Sequence, residues 1–201
     1  MTLALIDYGA GNLQSVRNAL RAAGSSDVVV TSDPDQVLAA DRIVLPGVGA
    51  FAHCMGALAA IPGMVAALNE ATGAKARPFL GICVGMQLMA EAGEEHGRHP
   101  GLGWIKGSVR RIAPTDPAIK IPHMGWNDVV PASPHPLIDA GEAYFLHSYA
   151  FAGEDVLATT THGAPLVAAI GRDNLAGVQF HPEKSQRYGL ALLARFLEWR
   201  P

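Results

Sequence analysis

A thiol flanked by glycines, an imidazole two residues ahead of a carboxylate, and a glycine-rich loop are spread along this chain; brought together, they could perform acyl transfer. The segment GICVGMQ, residues 81–87, sets Cys83 between Gly81 and Gly85 at the end of an apolar run. In an α/β sheet a sharp strand-to-helix turn of this form lifts its central side chain above the sheet, and small flanking residues let neighbouring backbone approach. At the start of a helix the sulfur also meets unpaired N–H groups and the positive end of the helix dipole, which favour the attacking thiolate. The plainer alternative is a small buried hydrophobe, a common fate of free cysteine. The flanking glycines alone do not choose between them.

A thiol nucleophile needs a base, and the base needs an orienting partner. In VQFHPEKS, residues 178–185, His181 follows a strand-like run, Pro182 stiffens the turn, and Glu183 stands two residues on. A strand end delivers side chains to the edge of the sheet where loops gather. Cys83, His181 and Glu183 can thus form a triad, although a solvated His-Pro turn would read the same way without the cysteine motif. Acyl transfer also puts negative charge on a carbonyl oxygen, which fixed N–H donors stabilise. The amide of Val84 is one donor. PGVGAF, residues 46–51, offers others at Val48 and Gly49, unless that loop is simply a turn.

The elements that position these groups are legible as alternating strands and helices. LALIDY (3–8), DVVVT (27–31), RIVLP (42–46) and PFLGI (78–82) read as strands, and Leu13, Val16, Leu20 and Ala23 recur at helical spacing before Gly24. This is the pattern of parallel strands joined by crossover helices, a Rossmann-like core. From about residue 104, strand-like runs with short turns suggest added antiparallel strands: WIKGSVRRI, IPHMGWNDVV, AYFLHSYAF, VLATTTH, PLVAAIG and LAGVQF. The stretch 185–199 places Leu190, Leu193, Phe196 and Leu197 on one face of a closing helix. The expected fold is an α/β mixed sheet flanked by helices, with an antiparallel region in the C-terminal half, in one domain over 1–201.

Composition narrows the function classes. A formal net charge of −3 offers nothing to attract nucleic acid or an anionic membrane. Two cysteines, Cys54 and Cys83, are too few for a disulfide framework, so a reducing, cytoplasmic setting is expected, and because Asp7 arrives before an apolar signal core could form, no export is expected. Residues 43–69 carry no Lys, Arg, Asp or Glu, yet Pro46, Gly47, Gly49, Pro62 and Gly63 divide them into segments of globular length.

PGVGAF, GICVGMQ and VQFHPEKS, in that order and across essentially the whole chain, resemble the class I glutamine amidotransferases, whose triad is Cys-His-Glu. DYGAGNL (7–13), IPHMGWN (121–127) and YFLHSY (144–149) are similar to the glutaminase branch that serves histidine biosynthesis. Met86 agrees with that branch, because relatives in anthranilate, GMP or carbamoyl phosphate synthesis commonly have histidine there. Val84 departs from the usual leucine, a small change where the backbone amide does the work. The resemblance implies that Cys83 attacks the carboxamide of glutamine, that His181 protonates departing ammonia and later activates water, and that Glu183 orients His181. Gln87, backbone around Gly47 and Gly49, and the Ser148–Tyr149 loop would hold the substrate. It further implies a (βα)₈-barrel cyclase partner, reached through Asn12, Trp126, Tyr144 and Lys184, that receives the ammonia and performs a lyase-type ring formation. Read from the residues alone, those four are a helix cap, a core aromatic, a strand aromatic and a solvated charge.

No cofactor or metal is expected. GAGN begins like a dinucleotide fingerprint, but Gln14 stands where its third glycine belongs. His53 beside Cys54, His96 with His99, and His135 lack metal-ligand spacing, and His123 and His147 receive no chemical role. Two other classes remain open at this level: a binding subunit that keeps the fold without the chemistry, and another cysteine hydrolase such as a peptidase.

Overall fold

A computed structural model describes residues 1–201. In chain order the elements are β1 (Leu3–Ile6), α1 (Leu13–Ala22), β2 (Val28–Thr31), α2 (Pro34–Ala39), β3 (Arg42–Gly47), α3 (Phe51–Ala60), α4 (Met64–Thr72), β4 (Phe79–Cys83) and α5 (Val84–Gln87). There follow β5 (Ala90–Gly93), β6 (His99–Pro100), β7 (Ile105–Arg111), β8 (His123–Pro131), β9 (Gly141–His147), β10 (Tyr149–Gly153), β11 (Val156–Thr161), β12 (Pro165–Arg172), β13 (Leu175–Val178), a 3-10 turn (Pro182–Lys184) and α6 (Gln186–Glu198).

A 9-stranded sheet runs β2-β1-β3-β4-β13-β12-β11-β8-β9. Its first five strands are parallel, and β1, β3 and β4 are buried at every position, which is why they read as unbroken apolar runs. Helix α1 turns Val16, Ala19 and Leu20 inward, and α6 turns in Leu192, Leu193, Phe196 and Leu197. Helix α2 was not anticipated, although Asp33 accepts from the Asp35 amide and Pro34 opens the first turn.

The expected antiparallel region divides. β12, β11, β8 and β9 extend the large sheet antiparallel, whereas β13 runs parallel to β4. β7 and β10 leave it for a 4-stranded sheet with β5 and β6, two strands that the alanine- and glycine-rich sequence did not announce. The run AYFLHSYAF is therefore two strands, because Ser148 breaks it and lets β9 pair with β8 while β10 pairs with β7. That break lies on the rim of the site described below. The helix expected after Cys83 is a single turn, so the dipole contribution anticipated there shrinks accordingly. No helix is long and apolar enough to cross a membrane; the uncharged stretch separates into β3 and the pair α3 and α4, bent by 96°.

Candidate active site

Cys83 ends β4 with φ 55° and ψ −113°, a backbone conformation that non-glycine residues rarely hold and that costs about 1–3 kcal/mol. Glycines make the turn possible. A Cβ on Gly81 would sit 2.6 Å from the Gly85 carbonyl oxygen, one on Gly85 would overlap the Leu45 carbonyl, and one on Gly47 would lie 2.7 Å from the Gly85 amide nitrogen. The ends of β3 and β4 and the first turn of α5 thus interlock with no side chain between them, and Gly47 pairs with Cys83 across the strands.

His181 enters from the far side of β4, on the bend after β13. Its backbone is pinned to β9: the His181 amide donates to the Tyr144 carbonyl at 2.9 Å, and Ser185 Oγ donates to the His181 carbonyl at 2.7 Å. His181 Nδ1 donates to Glu183 Oε1 at 2.8 Å, with both side chains at most 4% exposed. Burial alone would lower the imidazole pKa, but the Cys83 sulfur and the Glu183 carboxylate together outweigh it and push the pKa up to about 10. That direction favours the protonated ring beside sulfur and carboxylate.

Cys83, His181, Val48, Gly49, Val84, Gln87, Ser148, Tyr149 and His147 line one cavity of about 290 Å³. Gly49 takes φ +103°, with nothing within 4 Å of an added Cβ, so this loop faces open space. Behind it, Tyr8 Oη donates to the Pro46 carbonyl at 2.7 Å and Cys54 Sγ donates to the Val48 carbonyl at 3.3 Å. Burial raises the pKa of both Tyr8 and Cys54, keeping them neutral donors. Gly47 is one residue behind the cavity wall, in the seam with Gly85.

The family model for glutamine amidotransferase class-I matches residues 4–199. The chain belongs to the class-I glutamine amidotransferase family. It is 65% identical over 206 residues to the imidazole glycerol phosphate synthase subunit HisH of Zymomonas mobilis, covering 100% of this chain and 97% of that one. It is 56% identical over 214 residues to the HisH subunit of Rhodospirillum rubrum, covering 100% of both. A crystal structure of a glutamine amidotransferase superposes with TM-score 0.75 over 98% of each chain at 18% identity, which speaks to the fold alone.

In this amidotransferase two residues of the site, one lining the cavity and one buried beneath it, escaped the sequence reading. Glu95 lines the cavity and accepts from the Phe51 amide at 2.9 Å, at the start of α3. Gln179 is fully buried, with its Nε2 3.7 Å from Cys83 Sγ. A polar residue inside an apolar run, two positions before His181, was the available signal.

The four residues assigned to a partner face separate into two kinds. Trp126, 48% exposed on β8, stands opposite Tyr144 on β9 with ring centroids 6.3 Å apart, and Lys184 Nζ lies 5.7 Å from the Tyr144 ring centroid. Met124 and Leu146 are exposed on the same strand pair. Lys184 also reaches the cavity. Asn12 is exposed and caps α1, accepting from the Ser15 amide at 3.4 Å.

Proposed function

We propose that this chain hydrolyses glutamine to glutamate and ammonia with Cys83, His181 and Glu183, and passes the ammonia to a (βα)₈-barrel cyclase subunit of imidazole glycerol phosphate synthase. The observation that carries the reading is the buried 2.8 Å His181–Glu183 bond in contact with the cavity that holds Cys83. The sulfur attacks the side-chain carboxamide carbon, and the negative charge that forms on oxygen is met by the amides of Val84 and of Val48 or Gly49. The His181 imidazolium gives its proton to the leaving nitrogen as the C–N bond breaks, leaving a thioester and ammonia. The neutral ring then takes a proton from water as it adds to the thioester carbon; the C–S bond breaks, the Cys83 sulfur leaves as thiolate beside the reprotonated ring, and glutamate departs.

Substrate placement follows from which polar atoms are free. Gln87 Nε2 donates to the Tyr149 carbonyl at 3.0 Å and to Gln179 Oε1 at 2.9 Å. Gln87 Oε1 is then left to accept from the α-ammonium, with the Glu95 carboxylate supplying opposite charge and the Ser148–Tyr149 segment lining the same cavity. The exposed Trp126, Met124 and Leu146 suit an apolar partner surface. The lyase activity expected of the joint reaction does not extend to this chain, whose family supports hydrolysis.

The test is glutamate release by wild type and Cys83→Ala, each alone and with the cyclase and its ligand. A wild-type pair no faster than Cys83→Ala defeats the reading. The free subunit should be slow and accelerate with the cyclase, since the Val48–Gly49 loop is open to solvent; equal rates would remove the partner from the scheme.

A further inference from the structure

Gln179 is 0% exposed, and a buried primary amide is costly unless its donors and acceptor are used. Its Oε1 accepts from Gln87 and its Nε2 meets the Cys83 sulfur. The sense of both amides follows from a single group. The Tyr149 carbonyl can only accept, so the Gln87 atom 3.0 Å away is its NH₂, and the other hydrogen of that NH₂ goes to Gln179 at 2.9 Å. With its oxygen so engaged, Gln179 turns its own NH₂ to the sulfur. Flipping it would set NH₂ against NH₂ and oxygen against sulfur.

The same carbonyl orders a second chain of side chains. His147 Nδ1, 2.9 Å from the Tyr149 oxygen, carries hydrogen; its Nε2 therefore accepts from His123 Nδ1 at 2.9 Å, and His123 Nε2 accepts from Asn127 Nδ2 at 2.9 Å. Burial, followed by the neighbouring histidines, lowers the pKa of His123 to about 3, and burial lowers that of His147 to about 4, consistent with these neutral tautomers.

We infer that Gln179 is a further residue of the catalytic centre, whose side-chain N–H donates to the Cys83 sulfur and stabilises it as the attacking thiolate. A donor favours the charged form of the atom it faces. An amide does this without titrating, so it supports the sulfur without competing for the proton that His181 handles. The inference rests on the glutaminase reading for its kinetic consequence but not for its effect on the thiol.

The discriminating variant is Gln179→Glu, which keeps an acceptor for Gln87 and replaces the donor facing sulfur by an acceptor; Gln179→Met removes both. In complex with the cyclase and its ligand, kcat should fall about tenfold or more, the size of one hydrogen bond to a charged group, while KM for glutamine in Gln179→Glu stays within about twofold. The pH midpoint for iodoacetamide alkylation of the Cys83 peptide, followed by mass, should rise in both variants, by more in Gln179→Glu. The ionisable groups around the sulfur, His181 with Glu183 behind it, Glu95, His147, Tyr149 and Lys184 on the cavity and Tyr8 and Cys54 behind the loop, are unchanged in either. Gln179→Glu adds a carboxyl and Gln179→Met adds none, so the rise in Gln179→Met is the reading free of added charge. A raised KM with unaltered kcat and alkylation profile would make Gln179 a support for Gln87 and overturn the inference. The wild-type protein supplies a reading that needs no variant: the Gln179 side-chain amide signal must shift as Cys83 is titrated, and a constant signal overturns it. Absence of wild-type glutamate release would defeat the glutaminase reading while the alkylation and amide measurements still judged Gln179.

Discussion

His181 Nδ1 and Glu183 Oε1 stand 2.8 Å apart with both side chains withdrawn from water. This fixes the ring and, in the proposed reaction, leaves Nε2 as the nitrogen for the sulfur and the leaving group. Glu183→Gln keeps the shape but removes the charge, so glutamate release by the cyclase complex should drop by about 10²–10⁴-fold with little change in partner affinity. A loss below about threefold would mean that the carboxylate does not organise the base.

The Cys83 sulfur is the largest cause raising the His181 pKa, and it works against burial, which lowers it. In Cys83→Ala the ring should therefore titrate well below the wild-type value of about 10, read from the histidine ring signals by NMR. The linkage has a definite sign. A folded pKa raised above the unfolded value of about 6.5 gives stability that is complete below that pH and is lost as pH rises through about 10. Denaturant midpoints of wild type should fall across that window, and Cys83→Ala should lose most of this dependence.

Gly85 has no room for a Cβ, because the atom would overlap the Leu45 carbonyl. Since backbone rather than a flexible side chain stands in the way, Gly85→Ala should lower stability by about 1–3 kcal/mol or more and displace Cys83. Chemical denaturation checks the first effect and loss of glutamate release the second. Gly49→Ala, strained by its positive φ but free of contacts, should keep more of its stability.

His123 and His147 act in the acid direction. Folded pKa values lowered to about 3 and about 4 give stability that is complete above about 6.5 and is lost as pH falls toward those values. His123→Phe should be less stable at pH 7.5, because His147 Nε2 loses its donor, yet its stability should decline less steeply between pH 6.5 and 4.5, by about one proton. Parallel slopes for the two proteins would contradict the neutral chain.

Trp126 packs edge-on against Tyr144 at the exposed side of β8 and β9. Trp126→Ala should weaken association with the cyclase at least about tenfold while leaving the thermal midpoint of the free subunit nearly unchanged, as measured by titration calorimetry and thermal unfolding. Unaltered affinity would move the contact elsewhere.

Much of this site was legible because its chemistry is local. Gly81, Cys83 and Gly85 lie within one turn, and His181 and Glu183 within another, so residue type and short spacing already imply a turn nucleophile and an oriented base. Strands buried on both faces announce themselves as apolar runs, as β1, β3 and β4 did. The β9–β10 break at Ser148 was hidden, since a continuous β-favouring run says nothing about which sheet each half will join.

The sequence by itself determined the family and the parallel core and singled out the groups proposed to react, because each rests on neighbours a few residues apart. Only the tertiary structure decided that Gly47 belongs to a close-packed seam, that Glu95 faces the cavity, and that Gln179 reaches Cys83 across 96 residues of chain. Such partners are chosen by strand order, here the insertion of β13 beside β4, and no pattern of local spacing encodes that choice.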